Sequence, residues 1–314
     1  MPPTLPWEIV DELITIDDVR AAALRIHGRV LRTPLLSTVD CPLWIKPESL
    51  QPTGAFKLRG ATNAVLLLDG TATQGVVTHS SGNHAQALAY AARAAGLPAT
   101  VVMPSDAVPA KIDATKALGA TVHLVPPTER AEAAERLASQ HGLTMVPPYD
   151  HPHVIAGQGT IGLEIVSDAP DVDVILVPVG GGGLAAGVAT AVKALHPRAS
   201  VIGVEPSLAA DAADSLRLGE RIAWDPALTA RTAADGVRHA VLGELTWAHI
   251  RRHLDTIVTV TEDEITAAIR FIAARYRLIA EPSGALSAAA YLWHGAELPS
   301  GHTVAVLSGG NAGS

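Results

Sequence analysis

Only one of the 314 residues is a cysteine, Cys41. A lone thiol excludes an internal disulfide framework and fits a reducing, cytoplasmic setting. Cys41 is read as a small apolar core residue and not as a nucleophile. No stretch approaches 18 consecutive apolar residues and no secretory hydrophobic segment opens the chain, so neither a membrane span nor a membrane partner is expected. Positive charge is scarce. With 23 Lys and Arg against 31 Asp and Glu, the formal charge of −8 leaves no basic stripe for nucleic acid. Low-complexity linkers are missing as well, so composition marks no domain boundary.

What remains is a chain 48% hydrophobic, with core enough for two sub-domains. Strand and helix patterns alternate from end to end, which reads as an open parallel sheet wrapped by helices, an α/β architecture. Thr15-Ile-Asp-Asp18 is suited to cap a first helix. Leu43-Trp-Ile-Lys46 reads as a short strand. Residues 76 to about 146 contain three βα units of their own. The expected organisation is therefore a large domain, 1–65 with 149–314, and a small domain, 66–148, inserted in it, with the site in the cleft between them.

Lys57 carries the strongest signal. It stands in Lys46-Pro-Glu-Ser-Leu-Gln-Pro-Thr-Gly-Ala-Phe-Lys57-Leu-Arg-Gly60, at a turn-to-helix junction flanked by glycines. A lysine partly removed from water loses its proton readily and forms a Schiff base with an aldehyde. Three loops follow predicted strands: Ser80-Ser-Gly-Asn-His84 after Val76-Val-Thr-His79, Gly180-Gly-Gly-Gly183 after Val172-Asp-Val-Ile-Leu-Val-Pro-Val179, and Ser308-Gly-Gly-Asn311 after Thr303-Val-Ala-Val-Leu307. Ligands of open α/β sheets sit outside the carboxyl ends of the strands, so these loops and the lysine describe one converging site. Four glycines at a helix start expose backbone N–H groups to an anion, and the helix dipole favours its charge. The lysine and hydroxyl of a nucleotide P-loop are absent, as is the GxGxxG spacing of a dinucleotide fold. The alternative for the glycines is a tight strand-to-helix turn.

The lysine segment, Ser81-Gly-Asn-His84, the glycine loop and Ser308-Gly-Gly-Asn311 together resemble the fold-type-II pyridoxal-phosphate (PLP) enzymes, whose two-domain architecture is that of the tryptophan synthase β chain. Within them the chain is similar to the serine/threonine dehydratase and serine racemase branch, over nearly its whole length. Gln51-Pro-Thr and Leu58 disfavour the cysteine synthase and threonine synthase siblings. Three residues follow Asn311, so no C-terminal effector domain of the biosynthetic threonine deaminase kind, and no isoleucine feedback through one, is expected.

The resemblance implies roles. Lys57 would hold the PLP aldehyde as a Schiff base and then remove the substrate's α-proton. Phe56 would contact the cofactor beside it. Gly180, Gly181, Gly182 and Gly183 would take the phosphate, Asn83 the ring hydroxyl, and Ser308 the pyridine nitrogen, whose neutral partner suits elimination. Ser80, Ser81, Gly82, Asn83 and His84 would hold the substrate carboxylate at a helix start, although Ser80 and Asn83 are also ordinary N-cap residues. His84 reads as an oriented imidazole. Glu281 falls where the family keeps a carboxylate near the cofactor, its alternative being a helix-start Glu. Ser81 stands where racemases have the acid/base on the face opposite the lysine. Glu205, the carbonyl of Ala209, and Asp211 resemble the divalent-metal site of the racemase and 3-hydroxyaspartate dehydratase group, suited to Mg²⁺, Ca²⁺ or Mn²⁺. Arg130 stands where racemases keep a substrate-side arginine able to receive a second carboxylate. Asp235-Gly-Val-Arg-His-Ala-Val-Leu-Gly243 is one residue longer than the racemase pattern. The expected protein is a homodimeric PLP-dependent L-serine/L-threonine dehydratase acting on a small hydroxy amino acid. Serine racemase and 3-hydroxyaspartate dehydratase are the alternatives, and a non-catalytic PLP-binding protein a remote one.

Overall fold

A computed structural model describes residues 13–68 and 70–311; residues 1–12, Asp69 and 312–314 of the expected domains lie outside the described residues. The chain opens with α1 (Ile16–Ile26), β1 (Leu36–Thr38), β2 (Cys41–Pro47) and α2 (Lys57–Leu66). The middle runs β3 (Val76–His79), α3 (Asn83–Ala94), β4 (Ala99–Pro104), α4 (Pro109–Ala117), β5 (Thr121–Val125), α5 (Arg130–His141) and β6 (Thr144–Met145). Then follow α6 (Pro152–Asp168), β7 (Val174–Pro178), α7 (Gly183–Leu195), β8 (Ser200–Pro206), α8 (Asp211–Leu218) and α9 (Pro226–Thr229). The chain closes with α10 (Glu244–His253), β9 (Thr256–Val260), α11 (Glu262–Tyr276), α12 (Pro282–Trp293) and β10 (Thr303–Leu307).

The strands form two sheets, ordered β1-β2-β10-β7-β8-β9 and β5-β4-β3-β6. The second is parallel throughout. The first is parallel except at one edge, where β1 pairs antiparallel with β2 across a two-residue turn, so the open parallel-sheet architecture stands with one antiparallel strand added. A two-residue reversal can join only antiparallel strands, because a parallel pair needs a crossover. The central strands β7 and β10 are wholly buried, as strands covered by helices on both faces must be. The Thr15 capping box forms as the sequence suggests. Cys41 is half-buried and packs against the core that α11 and α12 help to form, with its thiol also against the Tyr276 side chain. Among the described residues no helix is long and apolar enough to cross a membrane.

Helix α2 is positioned by contact with α6 at backbone distance. A Cβ on Gly157 would lie 2.6 Å from the Gly60 Cα and 2.8 Å from the Arg59 carbonyl. Only glycine fits there. Gly157→Ala is expected to cost about 1–3 kcal/mol by overpacking, seen as a lower urea midpoint at unchanged slope.

Candidate active site

The carboxyl ends of β2, β3, β7 and β10 all open onto one cleft of about 770 Å³ between the two sheets. Lys57 is the first residue of α2 and lines this cleft. Its Nζ donates to the Pro148 carbonyl at 2.6 Å and lies 5.1 Å from the Phe56 ring centroid. Among the described residues no carboxylate pairs with it. Burial therefore goes uncompensated and lowers its pKa to about 8, the direction desolvation imposes on an ammonium. The lysine loop is held against the last loop of the chain. Phe56 N–H donates to the Ser308 carbonyl at 3.0 Å, Gly310 N–H to Gly54 at 2.9 Å, and Ala55 bridges Gly309.

The glycine loop serves more than a turn. Only Gly182 has a left-handed φ, +93°. The other three are required by close neighbours: a Cβ on Gly180 would lie 2.9 Å from the Val237 Cα, and Cβ atoms on Gly181 and Gly183 would meet Tyr149 at 2.5 and 2.9 Å. Within the described residues the amides of Gly181, Gly182 and Gly183 donate to no protein acceptor. The start of α7 thus presents free N–H groups to the cleft, a ready anion site.

Across the cleft, α3 begins at Asn83 with Gly82 as its N-cap and no side-chain cap. Capping does not occupy Asn83: its Nδ2 donates to Glu281 Oε1 at 2.7 Å, and its Oδ1 accepts from Asn311 Nδ2 at 2.8 Å. Ser80 Oγ accepts from Gly82 N–H at 3.3 Å, and Ser81 lines the cleft beside it. His84 is buried, with Nε2 on the Val146 carbonyl at 2.9 Å and Nδ1 unpartnered; burial, then the Lys57 charge, lowers its pKa to about 3. It is a neutral, packed imidazole. Glu281 does precede α12, yet its side chain makes no cap bond. Burial raises it to about 7 despite the Asn83 bond. Ser308 is buried in the cleft wall, its Oγ 3.4 Å from the Ser283 carbonyl. Arg130 opens α5 half-buried at the cleft, its Nε on the Pro127 carbonyl at 3.0 Å.

Glu205, Ala209 and Asp211 gather elsewhere, behind the end of β8. Both carboxylates are 1% exposed. Glu205 accepts from the Ala212 and Ala213 amides of α8 at 3.2 and 2.8 Å, while Asp211 Oδ2 is buried with no partner. Burial raises Asp211 to about 7 and Glu205 well above the usual range, with the Asp211 charge adding to the rise at Glu205. Among the described residues no cation pairs with either. Among the described residues no cluster of three or more His, Cys, Asp or Glu side chains is placed to hold a metal ion.

Sequence reasoning missed Tyr149, gave no role to His239 although it lies in the Asp235–Gly243 segment, and missed the bridge from Lys111 of α4 to Asp235; all four residues line the cleft. Asn311 was visible within Ser308-Gly-Gly-Asn311, though not as the partner of Asn83.

A cleft between two sheets, with a lysine on one side and a glycine cradle on the other, defines an α/β enzyme that works through a phosphorylated cofactor. Residues 26–309 match the pyridoxal-phosphate dependent enzyme family, and the chain belongs to it. It is 40% identical to the L-threo-3-hydroxyaspartate ammonia-lyase of Saccharomyces cerevisiae, over 95% of this chain and 93% of that one. Identity is also 40% to the serine racemase of Schizosaccharomyces pombe, over 95% and 94%. The crystal structure of a threonine deaminase from T.th. superposes with a TM-score of 0.90 at 44% identity, covering 96% of this chain and 99% of that one. The fold is thus fold type II, and the chain stands in the ammonia-lyase and racemase part of the family.

Proposed function

We propose that the protein dehydrates L-serine and L-threonine by α,β-elimination, and that water then hydrolyses the resulting enamine to a 2-oxo acid and ammonia. The observation that carries this reading is Lys57: half-buried, with no carboxylate partner among the described residues, held near pKa 8 and lining the same cleft of about 770 Å³ as the free N–H groups of the glycine loop. On the same reading the two sheets are two domains, 66–148 inserted between 1–65 and 149–314.

Pyridoxal phosphate suits the residues present. Lys57 would hold its aldehyde, Gly180, Gly181, Gly182 and Gly183 its phosphate, Asn83 its ring hydroxyl and Ser308 its ring nitrogen, with Phe56 and Glu281 alongside. When bound, the cofactor supplies the electron sink that makes an α-proton removable. The chain does the rest. Residues Ser80, Ser81, Gly82, Asn83 and His84 would orient the substrate carboxylate at the start of α3. Lys57 would take the α-proton at Nζ. With its pKa near 8, about one lysine in ten is neutral at pH 7, against about one in three thousand at the ordinary value. His84 stays neutral and holds its neighbours in place. Lys57→Ala should leave the purified protein colourless, where wild type is yellow, and lower 2-oxo acid release by at least about a hundred- to ten-thousandfold. An active, yellow Lys57→Ala protein removes the whole assignment.

Ser81 supports a second reading, serine racemisation, with 3-hydroxyaspartate as a further substrate that Arg130 would receive. Elimination needs only the face on which Lys57 sits, whereas inversion needs a proton from the other. Ser81→Ala should therefore suppress racemisation of L-serine while dehydration of L-threonine survives, as chiral chromatography of the products reads. Absence of D-serine from wild type ends the racemase reading.

The buried carboxylates of Glu205 and Asp211, one with an orphan oxygen, suit a hard divalent cation joined by the Ala209 carbonyl. A chelator should lower the melting temperature and Mg²⁺ restore it, because an ion that binds only the native state stabilises it by mass action. Asp211→Ala should abolish the response. Identical melting with and without chelator, in both proteins, leaves the turn without an ion.

A further inference from the structure

Helix α10 has no side-chain cap of its own, because its N-cap is Gly243. Asp150 supplies one from 94 residues earlier in the chain: Oδ2 accepts from the Glu244 N–H at 2.9 Å and Oδ1 from the Thr246 N–H at 3.0 Å. A Cβ on Gly243 would lie 2.2 Å from the Asp150 Cγ, so only glycine admits the carboxylate. The two residues before Asp150 face the cleft, where the Pro148 carbonyl holds Lys57 Nζ and Tyr149 packs on Gly181 and Gly183. One short segment thus ties the lysine, the glycine loop and the start of α10 together.

Thr246, the third residue of α10, is fully buried and stands behind the glycine loop, outside the cleft lining. Its Oγ1 donates to the Gly181 carbonyl at 2.7 Å, with a longer contact of 3.2 Å to the Gly243 carbonyl. Gly182 leaves room for it, since a Cβ there would meet Thr246 Oγ1 at 2.9 Å. Every peptide bond among the described residues is trans, and in a trans peptide the C=O and the following N–H point in opposite directions. Fixing the Gly181 carbonyl on Thr246 therefore turns the Gly182 N–H the other way, to the cleft. The same bond polarises that peptide and strengthens its N–H as a donor.

We propose that Thr246 is a positioning residue for the phosphate cradle: from behind the loop, its hydroxyl holds the Gly182 N–H toward an anion in the cleft. This deepens the pyridoxal-phosphate reading and rests on it. Thr246 touches no ligand. It acts through the Gly181 peptide, and Asp150 fixes the helix that carries it.

The test separates the phosphate from the aldehyde. Pyridoxal has the ring and aldehyde of pyridoxal phosphate without its phosphate, so Lys57 serves both and the cradle only one. The full-length protein, stripped of cofactor, is titrated with each and followed by absorbance. Thr246→Val keeps the shape of the side chain and removes the hydroxyl; it should raise the Kd for pyridoxal phosphate roughly ten- to a hundredfold while pyridoxal stays within about threefold of wild type. Thr246→Ser keeps the hydroxyl and should stay within about threefold of wild type on both. Thr246→Ala takes the place of Thr246→Val if the latter does not fold. Inorganic phosphate, read as the rise it gives in the melting temperature of the cofactor-free proteins, should stabilise wild type and Thr246→Ser more than Thr246→Val. Equal losses on both aldehydes place the effect at Lys57 or in the fold, and overturn the proposal. So does a Thr246→Val with unchanged affinity for pyridoxal phosphate, or a Thr246→Ser as weak as Thr246→Val. A wild type that binds pyridoxal as tightly as pyridoxal phosphate removes the phosphate cradle and the role of Thr246 with it; a wild type that prefers pyridoxal phosphate, with that preference intact in Thr246→Val, removes the role alone.

Discussion

The buried guanidinium of Arg59 is the constraint on which the site depends. Two residues after Lys57 on the same helix, it is completely enclosed. It donates to Glu48 through Nε at 2.7 Å and Nη2 at 2.8 Å, and to Glu164 through Nη1 at 2.7 Å and Nη2 at 2.9 Å. Lys46, equally enclosed, adds a bond of 2.6 Å to Glu164. Two cations meet two carboxylates, so the charges cancel, and Thr33, Gln51, Thr160 and the Leu31 carbonyl take up further donors and acceptors. Such a network adds little net stability over an apolar core, yet losing one partner costs about 3–5 kcal/mol. What it supplies is position. It joins the end of β2, the start of α2 and the middle of α6, and those three elements fix where Lys57 emerges.

The cleft is built the opposite way. Below α2 every buried charge has its opposite, and a full set of partners holds Glu48 below the usual carboxylate range and Arg59 above its own. On the cleft side of the same helix the partners are withheld. Lys57 has a carbonyl and no carboxylate, Glu281 has an amide and no cation, and the imidazoles of His84 and His239 each keep an orphan Nδ1. Burial is the largest influence on each of these groups and drives each toward its neutral form. Perturbed groups concentrated in one cleft mark where a fold gives up stability for chemistry. The second such place, at Glu205 and Asp211, has the same signature with carboxylates only.

Much of this was legible in the chain, and the limits have physical causes. Loops that follow strands announce themselves through glycine and small polar residues, so the lysine turn, the Ser80 turn, the glycine loop and the last loop could be read in order. Convergence follows from the rule that parallel strands place their carboxyl ends on one side. Arg59 and Lys46 lay within the quoted lysine segment but gave no sign of burial, because their partner Glu164 is more than a hundred residues away in an unremarkable helix. Tyr149 and His239 belong to segments without periodicity, and their meeting with the glycines is tertiary. The antiparallel edge escaped because β1 has only three residues, too few for a period to show. Ser80 and Asn83 looked like caps since their type fits one; Gly82 holds that position, and the two side chains bond instead to the Gly82 amide and to Glu281 and Asn311 at the cleft.

Few bonds hold the two sheets together across the cleft mouth. Asn83 reaches Glu281 and Asn311 from the start of α3, and Lys111 reaches Asp235 from α4. Neutral hydrogen bonds of this kind contribute about 0.5–1.5 kcal/mol each, and a solvent-facing ion pair about 0–1 kcal/mol. Their sum is a few kcal/mol, within the range that a bound ligand can shift. Two of the groups involved, Asn83 and Glu281, are also assigned to the cofactor on the proposed reading. A ligand that engages Asn83 therefore competes with the bond that closes the cleft in its absence, and substitutes its own contact on the same side chain. On that reading occupancy and closure would be coupled through one amide, at the first residue of α3 and not at a remote hinge.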